Sequence, residues 1–158
     1  MMAIKKITTP DWEKLLPLLT DRWDGSFIIK HYTRFDLIGL PGLMAVRDDA
    51  LLGVLTWSDG DGEIELLTLD ALAPGQGVGG TLIDAFMADA RGSGVRRVLA
   101  TVTNDQLTAM KLLQRRGFRI DRVRRGAVDI AREAKPRIPV IGESGIGHHD
   151  ELEFSCAL

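Results

Sequence analysis

The sequence predicts a mixed α/β fold of the α+β kind, with a central mixed sheet of about six or seven strands flanked by helices. Apolar alternation over residues 43–47, 51–58 and 63–72 is broken only by Asp48-Asp49 and by Asp59-Gly60-Asp61-Gly62, the pattern of an antiparallel meander. A glycine-rich stretch then joins the third of these strands to a helix, a strand and a second helix, which implies a crossover with at least one parallel pair. Residues 151–157 alternate again, as a closing strand would.

From the N-terminus, residues 3–7 read as a short strand, and Thr9-Pro10-Asp11 as a helix start: a hydroxyl cap, proline in the first turn, then an acid. Trp12, Leu15, Leu16, Leu19 and Trp23 share one helical face, with Pro17 inside the pattern as a source of a kink. Residues 26–42 show no clean period and are expected to be helix plus loop. In the third meander strand Ile64 and Leu66 keep one phase while Leu67 and Leu69 take the other. A β-bulge explains this slip, and so does a strand buried on both faces.

The helix after the glycine stretch presents Val78, Leu82, Ile83, Phe86 and Ala90 on one face and stops at Arg91-Gly92-Ser93-Gly94. Residues 98–102 form a buried strand. Thr103-Asn104-Asp105 caps a second helix reaching Arg116, and Gly117-Phe118 turns into a further strand. Residues 127–135 read as a helix ended by Pro136, followed by a loop rich in proline and glycine.

A chain of 158 residues fits one domain, 1–158, and its 45% apolar and 27% charged content is that of an ordinary globular protein. The net charge of -2 argues against a nucleic-acid partner held by phosphate contacts. The single cysteine, Cys156, excludes an intramolecular disulfide, and no apolar run is long enough to span a membrane. A cytoplasmic protein is expected. Two adjacent histidines, His148 and His149, with no spaced third ligand do not make a metal site.

The most informative segment is Pro74-Gly75-Gln76-Gly77-Val78-Gly79-Gly80 between strand and helix. Glycines let the backbone come close to a ligand, and amides at a helix N-terminus converge on an anion, most naturally a phosphate. Gly75, Gly77 and Gly80 also fit the dinucleotide fingerprint, but some seventy residues precede the loop and too little chain follows for a doubly wound domain. A triphosphate loop lacks its Gly-Lys-Ser/Thr. A tight turn without a ligand is the remaining alternative.

The segments PGQGVGGTLIDAF and TNDQLTAMKLLQRRGFRI resemble the two hallmark motifs of the GNAT superfamily of N-acetyltransferases. Gly77 and Gly79 match the glycines that cradle the coenzyme A pyrophosphate in that family, and Ala109 and Gly117-Phe118 match the second motif. The likeness spans nearly the whole chain. The runs EIELLTLDAL and RRGF, and KPRIPVIGESGI followed by DELEF, further resemble an uncharacterised bacterial-type subgroup that brings no substrate with it. Pro74 stands where the family carries Arg or Gln, and Leu113 where many relatives carry a tyrosine that protonates the leaving thiolate.

The resemblance implies a GNAT-like acyl-CoA N-acyltransferase fold, acetyl-CoA as cosubstrate, and a small-molecule or peptide amine as acceptor, with no nucleic acid or membrane partner. A homodimer is compatible with it. It makes Gly75, Gln76, Gly77, Val78, Gly79 and Gly80 the pyrophosphate cradle, has Leu67 and Leu69 pair with the pantetheine arm, and gives the oxyanion to the backbone N–H of Leu69. Glu65, beside the expected bulge, is the candidate base, against the alternative of a solvated outward face; Glu63 is the alternate. Asn104 either caps its helix or hydrogen-bonds the pantetheine amides, and Ala109 and Leu113 lie along the coenzyme. With leucine at 113, the thiolate, whose conjugate acid has a pKa of about 8.5, leaves without a protein acid. By analogy with the fold, Trp23 and the segment after it line the acceptor site. The rival readings are a non-catalytic coenzyme A sensor on the same fold and a dinucleotide-dependent oxidoreductase.

Overall fold

The computed structural model describes every residue, Met1–Leu158. Nine strands and four α-helices follow in the order β1 (Ala3–Lys6), α1 (Trp12–Trp23), β2 (Phe27–Lys30), β3 (Thr33–Asp36), β4 (Gly42–Arg47), β5 (Ala50–Asp59), β6 (Glu63–Ala71), α2 (Val78–Gly92), β7 (Arg97–Thr103), α3 (Leu107–Gln114), β8 (Arg119–Arg124), α4 (Ala127–Ala134) and β9 (Glu151–Ala157). Seven of the strands make one mixed sheet, as the sequence predicts, and β2 and β3 form a separate two-stranded ribbon. No helix is long and apolar enough to cross a membrane.

The chain divides into two compact units, neither of them a continuous stretch: Met1–Trp12, Gly39–Leu99 and Ala157–Leu158 form the first, and Glu13–Ile38 with Ala100–Cys156 the second.

In the first unit the strands run β1-β4-β5-β6, ending on the start of β7. Asp48 and Asp49 close the β4/β5 hairpin with φ of 48° and 62°, the left-handed pair a two-residue turn needs and that aspartate tolerates. Helix α2 packs on β4, β5 and β6. Its apolar face is the one the periodicity predicts, with Val78, Leu82, Ile83, Phe86 and Ala90 all buried and Met87 added. Gly53 makes that packing close, since a Cβ there would sit 2.6 Å from Val78 Cγ1 and 2.9 Å from the Asp70 carbonyl oxygen. Thr8, one residue ahead of the expected cap, donates from N and from Oγ1 to Asp11 Oδ2, both at 2.7 Å.

The second unit holds α1 from Glu13 onward, with Leu15 and Leu19 buried, and the strand order β7-β9-β8. The expected helix plus loop over residues 26–42 is corrected here: it contains the β2/β3 hairpin, paired from Phe27↔Asp36 to Lys30↔Thr33. His31 and Tyr32 form its turn at φ of 41° and 63°. Neither residue type signals such a turn, so the apolar run before it had no visible partner. Helix α3 ends at Gln114, short of the expected Arg116, and its N-cap is Gln106.

Candidate functional site

Strand β6 carries the first part of the site. Its pairing with β5 shifts between Thr56↔Thr68 and Trp57↔Leu66, so Leu67 is the extra residue of a β-bulge. Both explanations of the phase slip hold, because Leu66, Leu67 and Thr68 are also all buried. Trp57 stacks near Phe86 of α2 at 5.3 Å between ring centroids, which fixes the α2 face of the sheet. The bulge lets Leu66, opposite Trp57, and Leu69, opposite Leu55, lie on that same face despite their odd spacing. Glu65, opposite Ser58, is half-buried on the other face, where Thr56 and Thr68 share a hydrogen bond of 2.6 Å between buried hydroxyls.

The direction of the Leu69 amide follows from the ladder. Leu72 N donates to Leu52 O at 2.8 Å. Bonded pairs alternate along an antiparallel ladder, so Asp70↔Val54 and Thr68↔Thr56 are the next bonded pairs and Leu69↔Leu55 is not one. The Leu69 N–H is therefore turned away from β5. Glu63 is tied differently: Arg97 Nε and Nη2 donate to its Oε1 at 3.0 Å and 2.5 Å. That carboxylate is engaged by Arg97 and not turned toward an open space for a substrate amine.

The glycine loop completes the site in the first unit. Gly75 and Gly77 have φ of 76° and 71°, and a Cβ at either would meet nothing within 4 Å. Backbone conformation demands glycine here, and the space in front of the loop is open. The α2 ladder begins with Thr81 N to Gly77 O at 3.0 Å, so the amides of Val78, Gly79 and Gly80 stand ahead of it at the positive end of the helix. Arg47, at the end of β4, donates from Nη1 to Gln76 Oε1 at 2.9 Å. Sequence reasoning missed this guanidinium, which puts a positive charge beside a loop that lost the family's Arg or Gln at Pro74. These residues fit an anionic diphosphate.

The remaining expected residues belong to the second unit. Asn104 does not cap α3. Its Nδ2 donates to Gly147 O at 2.7 Å, and its Oδ1 accepts from His149 N and Asp150 N, both at 3.0 Å, fixing the loop that leads into β9. One Nδ2 hydrogen is left over. Ala109 and Leu113 lie one turn apart on α3, and Leu113 is only 2% exposed.

The second unit also encloses a cavity of about 240 Å³, walled by Trp23, Ile28, Val128 and Ile138 among others, with Glu151 and His148 in its lining. Trp23 and residues 24 and 28–30 after it are among the residues that line this cavity. Glu151, buried on β9, accepts from His31 N at 3.0 Å and 3.2 Å. Burial raises its pKa above the ordinary glutamate value, opposed by that hydrogen bond and by the nearby charges of Lys30, Arg124 and His31. Lys135 is buried too, and burial lowers its pKa against the pull of Asp24; its Nζ donates to Trp23 O and Phe27 O, both at 2.6 Å.

Comparison with known proteins accords with this geometry. A sequence model of the Acetyltransferase (GNAT) family matches residues 8–118. The uncharacterized protein YdhI of Bacillus subtilis is 32% identical over 117 residues, 73% of each chain, and the uncharacterized protein YxbD of the same organism 30% over 105 residues, 66% of each. Among solved structures, an IAA acetyltransferase from Bacillus cereus superposes with a TM-score of 0.77 over 100% of both chains at 20% identity. A GNAT family acetyltransferase from Elizabethkingia anophelis with acetyl-CoA bound gives 0.71 at 21% identity, over 99% of this chain and 98% of its own. The family model covers well over half of the sequence, and the chain belongs to the GNAT family of acetyltransferases.

Proposed function

We propose that the protein is an N-acetyltransferase that moves the acetyl group of acetyl-CoA to a primary amine by direct transfer in a ternary complex. The observation that carries this reading is the loop itself: two glycines in the left-handed region face open space, and the unpaired amides of Val78, Gly79 and Gly80 follow directly. Such an array suits the diphosphate of a coenzyme. The solved neighbour with acetyl-CoA bound supports the choice of coenzyme.

The cosubstrate brings the thioester; the chain's residues supply the rest. Amides from Gly75 to Gly80 hold the diphosphate, and Arg47, anchored through Gln76, adds charge. Main-chain groups of Leu67 and Leu69 pair with the pantetheine arm as a strand would. The Leu69 N–H, free of β5, donates to the carbonyl oxygen as negative charge develops on it. Glu65 takes the proton from the acceptor's ammonium, directly or through one water, and leaves a neutral amine to attack. Asn104, Ala109 and Leu113 are the second unit's proposed coenzyme contacts. Leu113 has no proton to give, so the thiolate leaves unassisted by a side-chain acid.

Thermal shift with acetyl-CoA, coenzyme A, NAD and ATP tests the coenzyme, and release of free thiol with an amine panel tests the transfer. Stabilisation by acetyl-CoA and coenzyme A but not NAD is expected, with thiol release that requires an amine. Binding without thiol release for any amine would make the chain a coenzyme A sensor instead. Stabilisation by NAD alone would overturn both readings.

A further inference from the structure

One segment of the second unit is fastened to the rest of that unit largely by side chains. Residues 136–149 fold back on themselves as a small hairpin, with Ile141 bridged to Gly147 and His148 N donating to Val140 O at 2.8 Å. Ile138, Pro139 and His148 of this strap wall the cavity. Arg132 of α4 grips it: Nε donates to Ile138 O at 2.9 Å, and Nη2 to Pro139 O at 3.0 Å and to His148 O at 2.8 Å. Asn104 holds its far end through Gly147 O and His149 N. Asp105 supports its bend, with Oδ2 accepting from Glu143 N at 2.9 Å, and a Cβ at Gly142 would overlap that carboxylate.

A fourth fastening is half made. His148 Nε2 is buried without a hydrogen-bond partner. It lies 3.6 Å from Asp105 Oδ1, beyond the reach of a hydrogen bond. The other ring nitrogen explains why. His148 Nδ1 lies 3.1 Å from Pro139 O, and a carbonyl only accepts, so Nδ1 carries the hydrogen and, in the neutral ring, Nε2 turns a bare lone pair toward the carboxylate. Two acceptors then face each other, and a buried polar atom left in that state costs roughly 1–3 kcal/mol. One proton on Nε2 converts the pair into a charged hydrogen bond once the gap closes to about 2.8 Å. Oδ1 has room for it, since Thr103 Oγ1, at 2.5 Å, takes only one of its two lone pairs.

The surroundings favour that bond. Burial, the largest influence on the Asp105 carboxyl, opposes ionisation, yet hydrogen bonds from Thr103 Oγ1 and Glu143 N and the nearby His148 outweigh it and keep the pKa below the ordinary aspartate value. Asp105 is therefore anionic across the range, about pH 5 to 8, in which histidines change charge. The cations around the cavity do not supply the missing hydrogen: Lys30 Nζ donates to Thr101 O, Lys135 Nζ to Trp23 O and Phe27 O, Arg137 to Asp24, and Arg132 to the strap and to Asp129. Arg22 and Asp24 complete the charged lining with Glu151. Two other groups near the strap change charge with pH. His149 Nδ1 lies 3.1 Å from Asp129 Oδ1, and Glu151 of β9, its pKa raised by burial, gains its charge as pH rises.

We propose that His148 is a pH-driven latch for this strap: it takes a proton from solvent on Nε2 and donates that hydrogen to Asp105 Oδ1, so that the strap is bolted to the β7–α3 junction in acid and loosened, with the cavity wall it forms, as the proton is lost. The grips of Arg132 and Asn104 do not titrate in this range and persist in both states. The latched form is thus the acid form, and its extra bond disappears as pH rises through the histidine range. The device is independent of what the cavity binds and of the acetyl-transfer reading.

The test uses the intact protein, isotopically labelled at histidine and followed by NMR between about pH 5 and 8. Nδ1 of His148 should stay protonated throughout, while Nε2 gains a hydrogen as pH falls. In parallel, hydrogen exchange of the Gly142, Ile146 and His148 amides, which bond within the strap, is corrected for the intrinsic effect of pH, with helix α2 as the reference. Their protection should be at least about tenfold greater at the acid end, the scale of one charged hydrogen bond. His148→Gln, whose amide keeps the same charge at every pH, should abolish that difference, whereas His149→Gln and Glu151→Gln should keep it. An Nε2 that stays bare at the acid end, an Nδ1 that loses its hydrogen first, protection equal at the two ends, or a difference that survives in His148→Gln overturns the proposal. So does its loss in His149→Gln or in Glu151→Gln, which would hand the switch to the Asp129 pair or to β9.

Discussion

Arg47 reaches from the end of β4 to Gln76, its Nη1 donating to Oε1 at 2.9 Å, so that a guanidinium is fixed beside the glycine loop by a residue of the loop itself. Pro74 stands where the resemblance to the family leads one to expect Arg or Gln. Arg47 brings a positive charge to Gln76, two residues further on, from another strand.

Arg47→Ala should therefore weaken coenzyme A binding by about three- to tenfold at low ionic strength, as loss of one charged hydrogen bond would. Screening shrinks the contribution of a partly exposed charge, so the gap between variant and parent should narrow as salt rises. Titration of coenzyme A at two salt concentrations checks it. Equal affinities at low salt would mean that the guanidinium serves only to hold Gln76.

Glu65→Gln should lower kcat by about 10²–10⁴-fold, the usual share of a general base, and leave coenzyme A affinity as it is. Glu63→Gln provides the contrast: Glu63 is already paired with Arg97, so turnover should change little. A Glu65→Gln enzyme within threefold of the parent would leave Glu65 as an outward side chain of β6.

Much of this was legible in local pattern. The meander, the α2 face and the slip at Leu67 are periodicities, and each is carried by consecutive residues that decide their own secondary structure. The β2/β3 hairpin escaped because His31 and Tyr32 occupy left-handed positions that usually announce themselves as Asn-Gly. Arg47 escaped for another reason: it is 29 residues from Gln76, and no local rule pairs them. The cavity is further still from local reasoning, for Lys135 closes on Trp23 across 112 residues. The fold also leaves two buried atoms, Thr101 Oγ1 and His148 Nε2, without a hydrogen bond, which no local rule foretells. In sequence they were one strand threonine and half of a histidine pair.

Gly53 tests how tightly α2 is seated. Gly53→Ala brings a methyl to 2.6 Å from Val78 Cγ1 and 2.9 Å from the Asp70 carbonyl oxygen, and backbone cannot yield as a flexible side chain does. The cost should be about 1–3 kcal/mol of stability, read by urea unfolding with an unchanged m-value. Because Val78 opens the helix behind the glycine loop, coenzyme A affinity should fall as well. A variant as stable as the parent would show that α2 can slide outward without loss.

Glu151 makes stability depend on pH with a sign opposite to that of most acids. Its pKa in the folded chain is raised, chiefly by burial, so the folded state holds the proton more tightly than the unfolded chain. Its contribution is favourable below the unfolded pKa, and stability is lost as pH rises from there through the folded value. Glu151→Gln keeps an oxygen for the His31 amide but cannot ionise. The melting temperature of the variant relative to the parent should therefore climb as pH rises from about 4, and level off once the parent's carboxyl is ionised. Thermal melts at half-unit steps between pH 4 and 8 measure the curve. A difference that stays flat across that range, or one that falls, would mean that the charges of Lys30, Arg124 and His31 compensate the buried carboxylate in full.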